Sequence, residues 1–216
     1  MKKYKVDKKE QLKLECTSPL SGMYKLSPFV WEENGVYKIM IRAVNPSEDA
    51  TQKVARIYYG TSADGIRFKM NDEPVIAPST NIYDKDGCED PTVVYLNDSY
   101  LVYYTGWNQT KQEGQLLLAK GQNMESLSFA GIAMPSTQPY INPKEATVAQ
   151  LKDGKWMLLF EYANEDRSRL GNASSGKAEG PWKIEGEFLP AVKNPSSPLP
   201  RENLVKLILL LRPRLY

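Results

Sequence analysis

The 216-residue sequence contains no histidine. That removes the side chain that most often serves as a general base near neutral pH and most often ligates a metal. Two cysteines, Cys16 and Cys88, are too few for a disulfide framework or a thiolate metal site. An excess of one charge is also missing. The 28 basic and 26 acidic residues leave a net charge of +2, which gives no footprint for nucleic acid or an acidic membrane surface. No apolar run is long enough to cross a bilayer, and none follows the opening lysines as a secretory leader would, so a cytoplasmic location is expected. Lys2, Lys3, Lys5, Lys8 and Lys9 read as a solvated start. Amphipathic helical periodicity is absent as well. Chemistry in such a chain must run on carboxylates, with Arg, Lys, Tyr and backbone groups in support and no metal or cofactor expected.

What is present is a repeated hairpin. Residues 30–42, 93–104 and 148–161 each read as an apolar strand, a turn (Asn34-Gly35, Asn97-Asp98, Asp153-Gly154) and a strand led by an aromatic residue. Turns of this type match strand twist and mark hairpins. The leading aromatics Tyr37, Tyr100 and Trp156 lie 63 and 56 residues apart. A second hairpin follows each first one, over residues 55–68, 115–129 and 169–184. Four short strands per unit of about 60 residues describe a β-propeller blade. The expected fold is therefore all-β, with residues 1–20 as a lead-in and blades over 21–78, 79–135 and 136–195. Residues 196–216 form a divergent tail without a hairpin turn. Its apolar, basic run suits a helix ended by Pro213, or the frameshifted end of a truncated gene. Three blades would leave two terminal faces without a neighbour.

The repeat also predicts where acids gather. Counting eight residues back from Gly35, Asp98 and Gly154 gives Ser27, Asp90 and Ala146, with Glu89 and Glu145 just before the last two. Five residues after Tyr37, Tyr100 and Trp156 stand Arg42, Thr105 and Glu161. Equivalent positions on successive blades converge on the central funnel, so Glu89, Asp90 and Glu145 should meet there, with Arg42 and Glu161 at its rim. Buried acids at the mouth of a hairpin are costly to desolvate, which points to function. Trp107, expected in a loop after the second-blade strand, is the tryptophan best placed to stack on a sugar face.

Glu89-Asp90-Pro91, the strand from Tyr37 to Ala43 and the segment Thr61 to Phe68 resemble glycoside hydrolase family 130, the β-mannoside phosphorylases and β-1,2-mannosidases, over roughly residues 24–195. More distantly the chain is similar to family 43. The resemblance implies part of a five-bladed propeller, with an oligosaccharide or glycoside bound at the funnel. It further implies that Asp90 is the general acid of an inverting reaction and that Arg42 lies on the substrate or phosphate side. Lys144-Glu145 resembles the family's Lys-Asp pair. Two departures stand out: Thr92 replaces the Arg that usually follows Glu-Asp-Pro, and Phe160-Glu161 replaces a His-Arg phosphate pair.

A carboxylate at 161 repels phosphate and can take a proton from water. Hydrolysis is therefore favoured over phosphorolysis, the glycosyl transfer to inorganic phosphate, with Glu161 or Glu145 as the base. Glu89, Trp107 and Lys144 complete the expected substrate contacts. Two alternatives stay open. One is a family 43-like arabinan or xylan glycosidase with Glu145 as its acid. The other is a catalytically silent carbohydrate-binding or relict fragment, so turnover by this chain is left open, as is self-association.

Overall fold

A computed structural model describes residues 9–49, 52–165 and 167–188. Strand-forming sequence and turn chemistry account for most of it. β2 (Tyr24–Glu33) and β3 (Val36–Val44) are joined by Asn34-Gly35, and β6 (Gly87–Leu96) and β7 (Ser99–Asn108) by Asn97-Asp98. All four turn residues have positive φ, between 50° and 77°, as two-residue hairpin turns require. The third hairpin, β10 (Ile141–Gln150) with β11 (Trp156–Asn164), turns differently. There the Leu151 amide bonds the Lys155 carbonyl at 2.7 Å around Lys152-Asp153-Gly154, so this turn is one residue longer.

β4 (Ala55–Ser62), β8 (Glu113–Gly121) and β12 (Arg167–Ser175) pair next, and β5 (Arg67–Met70), β9 (Ser128–Met134) and β13 (Lys183–Glu187) lie outside them. The result is three antiparallel meanders, β2 to β5, β6 to β9 and β10 to β13. Their first strands contact one another: β6 touches both β2 and β10. This is the blade arrangement of a propeller, with β2, β6 and β10 innermost. Along β7, alternate residues serve opposite cores. Val102 and Tyr104 pack toward the first sheet with Met40 and Ile57, whereas Leu101 and Tyr103 pack toward the third with Leu158 and Phe160.

The first sheet departs from the four-strand expectation. β1 (Lys13–Glu15) joins its outer edge, parallel to β5 with Leu14 opposite Phe68. Leu14, Cys16, Leu20 and Met23 then cover a core of Ile39, Ile41, Tyr58 and Phe68. The described part of the lead-in thus belongs to the first blade and covers one of the two terminal faces expected to lack a neighbour. The physical reason lies in β3, where Ile39, Met40 and Ile41 are all buried and need cover on both faces. The expected tail, 196–216, lies outside the described residues. No helix among the described residues is long and apolar enough to cross a membrane.

Candidate functional site

Each innermost strand carries a bulge at the same height. Ser27-Pro28 oppose Ile41, Asp90-Pro91 oppose Tyr104, and Glu145-Ala146 oppose Phe160. The first residue of each pair is left-handed, with φ of 47°, 50° and 49°. A non-glycine residue in that conformation is strained, and a bulge re-aims its side chain. Glu145, not Ala146, is therefore the structural counterpart of Asp90. The extra turn residue in the third hairpin displaces a count from Gly154 by one.

Asp90 is 6% exposed. Ser27 donates from Oγ to its Oδ1 at 2.6 Å, and Arg42 Nη1 approaches the same oxygen at 3.5 Å. The other arm of Arg42 reaches Glu89, Nη2 to Oε1 at 2.9 Å. Arg42 lies on β3 opposite Leu26, while Glu89 lies on β6 opposite Thr105. Burial pushes the Glu89 carboxyl above the ordinary carboxylate range; Arg42 and Lys144 pull it back and the Asp90 charge adds to the rise.

In the third sheet Lys144 and Glu161 are direct cross-strand partners, with Lys144 Nζ 3.3 Å from Glu161 Oε1. Ser168 Oγ donates to that same Oε1 at 2.7 Å. The Lys144 charge also acts on Glu89. Alternating charges thus run from β3 through β6 and β10 to β11: Arg42, Glu89, Lys144, Glu161. Asp90 joins this row through Arg42, which brings three carboxylates and two cations together; Glu145 stands beside Lys144 on the neighbouring bulge.

Thr92, in place of the expected arginine, is buried and donates from Oγ1 to the Ala146 carbonyl at 2.5 Å. It ties the second inner strand to the bulge that carries Glu145. Trp107 departs from expectation: it lies within β7 rather than in a loop, opposite Gly87. Its Nε1 donates to Gln109 Oε1 at 2.9 Å, and its ring flanks Gly114 beside Thr105. Sequence reasoning missed Ser27 as a site residue, although Ser27-Pro28 and Asp90-Pro91 are an aligned pair in the repeat. It also passed over Thr105, whose buried Oγ1 has no hydrogen-bond partner, like Nε of Arg42.

A family model described as β-1,4-mannooligosaccharide phosphorylase, glycoside hydrolase family 130, matches residues 29–180. The chain belongs to family 130. Its likeness to 1,2-β-oligomannan phosphorylase of Thermoanaerobacter sp. (strain X514) is 28% identity over 131 residues, 59% of this chain and 42% of that protein. The chain thus spans less than half the length of this curated relative. Among solved structures, a family 117 glycoside hydrolase of Zobellia galactanivorans superposes with a TM-score of 0.67 at 17% identity, covering 82% of this chain and 60% of that one. A family 130 structure, from work on hydrolases that target β-1,2 mannosidic linkages in Candida mannan, superposes with a TM-score of 0.60 at 22% identity, covering 76% and 49%. At these identities the two structures establish the fold alone.

Proposed function

We propose that this chain carries the catalytic face of an inverting β-mannoside hydrolase, with an oligosaccharide as substrate. Asp90 is its general acid, and Glu161 or Glu145 is the base that activates water. One observation carries the reading: Asp90 is buried on a strained bulge at the meeting point of the inner strands, held by Ser27 and Arg42. Strain and desolvation of a carboxylate are costs that a solvated structural acid does not require.

Hydrolysis is favoured over phosphorolysis on electrostatic grounds. A phosphate nucleophile needs unpaired cations, yet Arg42 is engaged by Glu89 and Asp90, and Lys144 by Glu161. Adding a dianion beside Glu89 and Glu161, where both cations are already paired, is unfavourable. Water carries no such penalty. An inverting mechanism places acid and base about 6.5–9.5 Å apart so that water fits between them.

A second reading, sugar binding without turnover, has one observation in its favour. Lys144 and Ser168 already engage Oε1 of Glu161, which leaves that carboxylate a single oxygen for water. Sugar release from β-mannobiose, measured with and without inorganic phosphate, tests both readings. The expected result is release of mannose in phosphate-free buffer, lowered by a factor of about 10² to 10⁴ in Asp90→Asn. Strict dependence on phosphate overturns the hydrolase reading, full activity of Asp90→Asn overturns the role of Asp90, and binding without release establishes the second reading.

A further inference from the structure

Ser27 and Asp90 occupy the same repeat position in adjacent sheets, and their side chains meet across the inner strands at 2.6 Å. A hydroxyl that close donates a bond that becomes charge-assisted, the strong kind, once the carboxyl is ionised. Arg42 approaches the same Oδ1 from 3.5 Å. Both contacts fall on one oxygen, so the proton of the carboxyl belongs on the other, Oδ2. Packing gives no reason for a serine at this place. Ser27 is half-buried at φ 47°, a conformation that glycine or asparagine adopts more readily, and the Pro28 that follows it is exposed. What serine adds is its hydroxyl.

We propose that Ser27 is the positioning residue of Asp90, fixing Oδ1 so that Oδ2 carries the proton toward the glycosidic oxygen; this rests on the reading of Asp90 as the acid. In the step, the Oδ2–H bond breaks as the proton passes to the glycosidic oxygen. The glycosidic C–O bond breaks with its electron pair on the departing alcohol. Meanwhile the water oxygen bonds to the anomeric carbon from the opposite face, its proton passing to the base (Glu161 or Glu145), and charge develops on the Asp90 carboxylate. The hydrogen bond from Ser27 strengthens as that charge appears, so it favours the transition state over the ground state.

The test compares wild type, Ser27→Gly and Ser27→Asn on two substrates, β-mannobiose and 2,4-dinitrophenyl β-mannoside. Glycine keeps the left-handed backbone without a donor, and asparagine suits that backbone and restores one. The expected result is a kcat on mannobiose about tenfold to a hundredfold lower in Ser27→Gly, with KM little changed and partial recovery in Ser27→Asn. The dinitrophenyl substrate, whose leaving group needs little protonation, should be cleaved at nearly the wild-type rate by all three. Equal losses on both substrates, or no loss on mannobiose, overturn the inference while leaving Asp90 as the acid. If wild type cleaves neither substrate, the hydrolase reading fails by itself. Crystal structures of wild type and Ser27→Gly then decide the positioning role: a carboxyl of Asp90 that turns or splits into two orientations sustains it, and one that stays in place overturns it.

Discussion

Glu33 and Glu89 are both partly buried carboxylates, and their neighbours send them in opposite directions. Burial raises the affinity of Glu33 for its proton, but hydrogen bonds from Lys38 and Tyr100 outweigh that, and the carboxyl ends below its ordinary range. The bonds are short, 2.6 Å from Lys38 Nζ and 2.8 Å from Tyr100 OH, and they span the first and second sheets at the turn end of the molecule. At Glu89 burial wins over Arg42, and the carboxyl ends above that range. The consequences for stability differ in sign. A depressed carboxyl contributes stability above its unfolded-state pKa of about 4.3, and this is lost as pH falls through the folded value. A raised one opposes folding at neutral pH and stops doing so on acidification. Glu33→Gln should therefore cost about 1–2 kcal/mol at pH 7, with a much smaller gap from wild type at pH 3, as read from urea midpoints at the two pH values. A gap that is the same at both pH values would show that the charge of Glu33 is not what stabilises. None of this network was legible in the sequence, because Glu33, Lys38 and Tyr100 meet only once two sheets have docked.

Elements were far easier to read than their registers. Asn34-Gly35 and Asn97-Asp98 announce hairpins because left-handed conformations depend on local residue chemistry. The bulges were only half visible. Ser27-Pro28 and Asp90-Pro91 mark theirs with a proline, whereas Glu145-Ala146 has no such mark and a longer turn displaces the count. Trp107 read as a loop residue for a related reason: its neighbour Gly106 looks like a strand terminator but continues β7. That glycine serves close approach. A Cβ at 106 would stand 2.4 Å from Leu117 Cδ1 and 2.5 Å from the Tyr83 carbonyl oxygen. A leucine tip can turn aside, but the Tyr83 backbone belongs to the segment that crosses from the first sheet to the second and is held there by Asp84. Asp84 accepts from Ser79 Oγ at 2.7 Å and from Tyr104 OH at 2.9 Å. Gly106→Ala should cost about 1–3 kcal/mol through displacement of this crossing segment. Chemical denaturation measures the loss, and hydrogen exchange should place the change at residues 79–86; an unaltered midpoint would mean that the crossing segment yields freely.

At the scale of the whole molecule, the second sheet is the shared wall of two cores, and this decides how the blades stand or fall. Met40 and Ile57 from the first sheet pack on one of its faces, and Leu158 and Phe160 from the third on the other. Two polar ties reinforce the second junction: Tyr103 OH donates to the Ala178 carbonyl, and Thr92 Oγ1 to the Ala146 carbonyl. Sheets joined in this way should unfold together, because exposing either face of the second sheet forfeits a core. Phe160 tests the point. It is fully buried, packs against Tyr140 and Tyr162 with ring centroids 5.9 and 5.7 Å away, and stands opposite the Glu145-Ala146 bulge. Phe160→Ala should cost about 3–5 kcal/mol, a large share of the 5–15 kcal/mol that usually separates folded from unfolded chains. Because the cores share a wall, the loss should appear in the first sheet as well. Trp31 lies against the first junction and Trp182 against the second. Denaturation of single-tryptophan variants retaining one or the other, each with and without Phe160→Ala, should give the same shift in midpoint for both reporters. A shift confined to the Trp182 reporter would mean that the blades unfold separately, and that the charged row from Arg42 to Glu161 is not held by a single cooperative unit.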